Sequence, residues 1–129
     1  MRLLLDTHVL VWALAAPERL SVRGRALIGD PENEIFVSVV SLWEIGIKRA
    51  TGRAGAPPIP ASTSHELALQ AGYQILTVSA QHAIHVENLE QFHGDPFDRL
   101  LVAQALSEPA FLLTHDRILA AYSDTMILV

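Results

Sequence analysis

A chain of 129 residues, half of them hydrophobic and 18% charged, is long enough to bury a substantial core and lies outside the composition of disordered proteins. The absence of cysteine excludes disulfides, thiolate metal sites and a cysteine nucleophile. A net charge of -5 makes a poor general nucleic-acid binder, because backbone affinity comes from neutralising phosphates with cations. The charge is uneven: residues 1–53 hold seven of the nine Lys and Arg against six acids, and residues 54–129 hold two against eight. That imbalance reads either as a solvated acidic surface or as a site where local arginines or a bound metal offset repulsion.

The opening "RLLLDT" has the length and unbroken apolar character of a buried strand. "HVLVWALAA" follows as a helix, apolar around most of its circumference, which implies burial in the core or across a subunit contact. Asp6 and His8 interrupt the apolar stretch, and its longest unbroken run, Val9 to Ala16, suits neither an export signal nor a membrane span. A cytoplasmic protein is expected. "SVRGRALIGD" reads as a helix, "EIFVSVVS" as a strand and "SLWEIGIKRA" as a helix. "TGRAGAPPIPAS", residues 51–62, is the one Gly/Pro-rich break and reads as a loop. The helix "STSHELALQAG" stops at Gly72, before the strand "YQILTVS". "SAQHAIHVENL" and "PFDRLLVAQAL" are helical, "AFLLTHD" is a strand, "DRILAAYS" a helix and "TMILV" a last strand. Continuous apolar strands separated by helices predict a three-layer α/β/α sandwich around a parallel sheet of four to five strands, with residues 1–129 forming one domain.

In such a sheet the carboxyl ends of the strands and the starts of the following helices share one edge, where ligands bind. Asp6 closes the first strand, Asp116 closes "FLLTHD", and Glu44 lies in the first turn after "VSVVS". Asp98 joins them if its helix runs back across that edge. Each acid also has a local reading. Asp6 and Asp116 suit N-caps, Ser41 with Glu44 matches Ser-x-x-Glu, and Asp95 with Asp98 resembles the same box, with Pro96 at the first helical position. Four acids gathered at one edge would repel one another, and a cation relieves that repulsion. Carboxylates without cysteine suit a hard ion, magnesium or manganese, which activates water and neutralises charge on a phosphoryl group.

At these residues the chain resembles the PIN-domain family, in particular the VapC-type ribonuclease toxins of toxin and antitoxin pairs. The likeness rests on "LLLDTHVLVW", "SVVSLWEIGIK", "HGDPFDRLLVAQAL" and "LLTHD", in family order and at family spacing over nearly the whole chain. The resemblance implies a magnesium- or manganese-dependent endoribonuclease whose metal-binding and catalytic acids are Asp6, Glu44, Asp98 and Asp116. Asp98 is preferred to Asp95 because "DRLLVAQA" matches the family's acid followed by an apolar, alanine-bearing helix. Asp95 then remains the N-cap and an outer support. The resemblance also implies an RNA substrate, a cognate antitoxin whose tail covers the acidic site, and a homodimer.

Thr7 and Thr114 accompany acids in these motifs and would orient them by hydrogen bonds. Arg99 reads as a phosphate contact or as an exposed partner for an acid, and Lys48 as a helix salt bridge to Glu44 or a substrate contact. His82 and His85 stand one helical turn apart, and His93 and His115 flank the acids; exposed histidines are expected, with His115 the best placed for a contact. Trp12 and Trp43 read as core or contact residues. A receiver-type phosphoacceptor domain is disfavoured because the sole lysine is Lys48, and a haloacid-type phosphatase because the first strand ends Asp6-Thr7-His8 and lacks Asp-x-Asp. A catalytically silent α/β interaction module with capping acids is the remaining alternative.

Overall fold

The computed structural model describes residues 1–52, 54–91 and 94–129. Five strands form one sheet: β1 (Arg2–Leu5), β2 (Glu34–Ser38), β3 (Gln74–Leu76), β4 (Phe111–Thr114) and β5 (Met126–Leu128). Every pairing is parallel, and the order is β3-β2-β1-β4-β5. Seven helices connect them among the described residues: α1 (Thr7–Ala15), α2 (Val22–Gly29), α3 (Val39–Ala50), α4 (Ala61–Gln70), α5 (Ala80–His85), α6 (Pro96–Ser107) and α7 (Arg117–Ala120).

The strands alternate between two cores, as a pleated sheet covered on both faces requires. Leu4 and Leu112 face a cluster that includes Leu101, Val102 and Ala105 of α6. Leu3, Leu5 and Leu113 face another, with Val9 and Leu10 of α1 and Ala68 of α4. This is the three-layer parallel sandwich expected from the sequence.

The chain winds from β1 outward to β3, then returns to the other side of β1 to lay down β4 and β5. The switch point therefore lies between β1 and β4, the place where ligands enter open parallel sheets. The Asp6 N–H continues the ladder beyond β1 by donating to the Leu113 carbonyl at 2.9 Å, so the first acid is held against β4.

Two local expectations change. "EIFVSVVS" is strand only to Ser38, whose hydroxyl accepts from the Val40 N–H at 3.0 Å and caps α3. Ser41 is thus inside the helix and is not its cap. The C-terminal half of α1 is less enclosed than its composition suggests: Val9, Leu10 and Val11 are buried, whereas Trp12, Ala13 and Leu14 are half-buried. Among the described residues no helix is long and apolar enough to cross a membrane.

Candidate functional site

Asp6 is buried, with 3% of its surface exposed, and both of its oxygens are engaged. Oδ1 accepts from the Val9 N–H at 2.8 Å, which makes Asp6 the N-cap of α1. Oδ2 accepts from the Thr114 hydroxyl at 2.5 Å. Burial pushes the carboxyl above its ordinary 3.8; the Thr114 and Val9 bonds and the nearby His8 oppose that rise without cancelling it. Capping therefore uses one oxygen, and the other is turned to Thr114 at the end of β4.

Thr114 links two acids. Its hydroxyl donates to Asp6 and accepts from the Asp116 N–H at 3.0 Å. Asp116 Oδ1 in turn caps α7 through the Ile118 N–H at 2.8 Å, and its side chain is half-buried.

Thr7 performs the corresponding task for Glu44. Its hydroxyl lies 2.7 Å from Glu44 Oε1 and 3.0 Å from Ser41 Oγ. A hydroxyl carries one proton, so the shorter contact to the carboxylate takes it and Ser41 donates back. Glu44 is 3% exposed, and its Oε2 accepts from Lys48 one turn along the helix. The lysine is therefore a partner of the buried acid.

Asp98 lies in the first turn of α6, half-buried. Asp95 caps this helix, accepting from the N–H groups of Phe97 at 2.8 Å and Asp98 at 3.2 Å. The start of α6 sits beside α3: the Phe97 ring meets Trp43 edge to face at 5.0 Å, next to Glu44 in sequence. Since α6 leads into the parallel strand β4, its N-terminus belongs to the same sheet edge as Asp6 and Asp116.

Among the described residues, no group of three or more His, Asp or Glu side chains is close enough to hold an ion jointly. Magnesium does not need such a cage, because it keeps several waters and takes one or two carboxylates. The donor set, oxygen throughout with one desolvated carboxyl pushed toward neutrality, fits a hard cation.

Several expected side chains take other positions. Arg99 is buried, and its guanidinium donates to the carbonyls of Glu90 at 3.0 Å and Val86 at 3.1 Å and to the Tyr122 hydroxyl at 3.2 Å. It pins the segment before α6 and is not displayed to a phosphate. His82 is buried, contrary to the expectation of exposed histidines: its Nε2 lies 2.6 Å from Glu108, and its Nδ1 accepts from the Ser79 N–H at 3.0 Å. His115 is exposed at the rim, 3.1 Å from the Val129 carbonyl and edge-on to Trp12 at 4.8 Å. His93 lies outside the described residues.

Sequence reasoning missed Ser38 and Gln104, and read Ser41 as a cap although its hydroxyl meets Thr7. Ser38 donates to Gln104 Oε1 at 2.5 Å, fastening α3 to α6 and so Glu44 to the helix that bears Asp98. The signal was one amide inside the apolar run "LLVAQAL", since a buried polar side chain needs a partner.

Fold and edge together define a doubly wound α/β domain with Asp6 and Asp116 linked through Thr114 at its switch point. The PIN domain family model matches residues 3–124. The ribonuclease VapC22 of Mycobacterium tuberculosis is 32% identical over 119 residues, covering 92% of this chain and 90% of that protein. The chain belongs to the PIN-domain family. Among solved structures, VapBC2 from Rickettsia felis bound to a promoter DNA fragment superposes with a TM-score of 0.71 at 18% identity, covering 100% of this chain and 98% of the other. FitAcB from Neisseria gonorrhoeae gives 0.65 at 19% identity over 98% and 96%. At those identities the likeness is one of fold.

Proposed function

We propose that this chain is a magnesium- or manganese-dependent endoribonuclease, the toxin of a toxin and antitoxin pair, with all 129 residues forming one catalytic domain. The observation that carries the reading is the buried Asp6 carboxylate at the switch point, joined through Thr114 to Asp116, with Thr7 beside it holding Glu44. A VapC ribonuclease relative at 32% identity over nearly the full length supports the activity, and the VapBC likeness supports an antitoxin partner.

Asp6, Glu44, Asp98 and Asp116 are the residues that would hold the ion, one or two of them directly and the others through its waters. When bound, it activates water and screens the phosphoryl and leaving oxygens. Thr114 and Thr7 fix the orientation of Asp6 and Glu44, so that the carboxylates need no rearrangement as charge develops. Lys48 balances Glu44 before substrate arrives. Asp95 sets the start of α6 and thereby the height of Asp98. A homodimer in the cytoplasm, silenced by the antitoxin, completes the proposal.

The test is cleavage of a labelled RNA by wild type, Asp6→Asn and Asp98→Asn with magnesium, with manganese and with chelator. Chelation and either substitution should reduce the rate by about 100-fold or more. Equal activity in all three proteins would defeat the metal reading, and no cleavage by any of them would leave the silent interaction module as the better reading. Mass measurement of the purified protein tests the dimer, and co-purification with the product of an adjacent small gene tests the antitoxin.

A further inference from the structure

Beside Glu44 lies a cavity of about 440 Å³, bordered on one side by Thr7 and Glu44. Trp12 and Arg19 form one wall, and Lys48, Pro57 and Pro58 line the remainder. The Arg19 guanidinium stands over the Trp12 indole, 5.6 Å from its centroid, while the His115 ring meets Trp12 edge-on. Neither the carboxylate edge nor the core explains why a half-buried tryptophan and an exposed arginine should be joined at this point.

We propose that this cavity is a nucleobase subsite, in which an unstacked base of single-stranded RNA next to the cleaved phosphate rests against Trp12 and Arg19. The proposal rests on the ribonuclease reading and names its recognition element. Three observations favour a base over other occupants. The cavity is continuous with Thr7 and Glu44, so its occupant is adjacent to the reacting group. Its walls combine a π-face, a guanidinium plane and a lysine, the groups on which splayed bases stack and next to which phosphates lie. Its volume lies in the range of small-ligand sites, roughly 300–1,000 Å³.

The far wall is built to keep its shape. The Arg49 guanidinium donates to the Pro57 carbonyl at 2.8 Å, tying the loop to α3. Gly55 has φ of +84°, a conformation that a side chain would strain.

The chain has two tryptophans, so Trp43→Phe makes Trp12 the sole indole reporter. This protein, in chelator, is titrated with a short single-stranded oligoribonucleotide and with an abasic ribose-phosphate oligomer of equal length. Base-containing RNA should quench Trp12 emission and the abasic oligomer should not. Separately, in the otherwise unaltered protein, Trp12→Ala should raise KM roughly 5- to 100-fold with kcat largely kept, and Trp12→Phe should restore most of the loss. Arg19→Ala should raise KM in the same direction.

Cleavage that needs Asp6 and Asp98 but is accompanied by no base-dependent quenching would overturn the subsite and leave the nuclease reading intact. Quenching by bases without cleavage in magnesium would uphold the subsite and overturn the nuclease. Emission that responds to the antitoxin and not to RNA would assign the cavity to a protein partner and defeat the proposal.

Discussion

Replacing Thr114 by Val removes one hydroxyl from a fully buried position without changing the shape of the side chain. Two bonds are lost, one to the Asp6 carboxylate and one from the Asp116 N–H. A hydrogen bond to a charged group contributes about 1.5–3 kcal/mol, and leaving the partly buried N–H without its partner adds about 1 kcal/mol. The expected loss is therefore about 2–4 kcal/mol, a large share of the roughly 5–15 kcal/mol that holds a domain together. In urea unfolding of the metal-free protein, with a slope of about 1–3 kcal/mol/M, the midpoint should fall by about 1–2 M. The cycle with Asp6→Asn is decisive, since a neutral amide partner weakens the bond. In that background Thr114→Val should cost about 1–2 kcal/mol less. A loss under about 0.5 kcal/mol, or the same loss in both backgrounds, would refute the view that Thr114 holds a buried carboxylate.

Because burial raises the Asp6 carboxyl above 3.8, the unfolded chain loses this proton first as pH increases. The contribution is neutral below 3.8 and turns destabilising as pH climbs through the raised folded value, so in chelator Asp6→Asn should gain stability over wild type across that window. A gain that instead shrinks with rising pH sinks this reasoning. Divalent ion at about 100 times its dissociation constant should add about 2.7 kcal/mol to wild type and far less to Asp6→Asn, measured by thermal shift. Gln104→Leu should lower stability by about 1–3 kcal/mol, because the Ser38 hydroxyl loses its acceptor inside the core. Lys48→Met, removing a part-exposed cation from a buried acid, should slow cleavage more than it changes the urea midpoint.

The five strands were legible because each is built on a short apolar run, and the acids at their ends because helix caps and ligand edges share the same positions. What the sequence concealed is mostly direction. Val39 and Val40 extend the β-branched run of β2, which hid the true cap, Ser38. Arg99 follows Asp98, but successive helical residues point about 100° apart, so one reaches the edge and the other turns into the body of the protein. His82 and His85 share a one-turn spacing that does not say which of them faces inward. Ser41 carried a misleading pattern, Ser-x-x-Glu, because its actual partner, Thr7, arrives from another element.

An acidic chain can bind a polyanion if its cations stand where the polyanion lies. Lys48 and Arg19 line the cavity beside Glu44, and Arg23, Arg117 and His115 line a second hollow. Arg117 also borders Asp116 together with His8. Three cations of the N-terminal half, Arg19, Arg23 and Lys48, thus border these hollows together with Arg117, which gives part of the uneven charge a use beyond solvation. Each cation that meets a phosphate of single-stranded RNA steepens the salt dependence of binding by about 0.7 in log-log slope. In the cleavage-deficient Asp98→Asn protein, Arg23→Ala and Arg117→Ala should each flatten that slope by about this amount, whereas removing the remote Arg25 should not. Slopes unchanged by both substitutions would move the RNA path off this face.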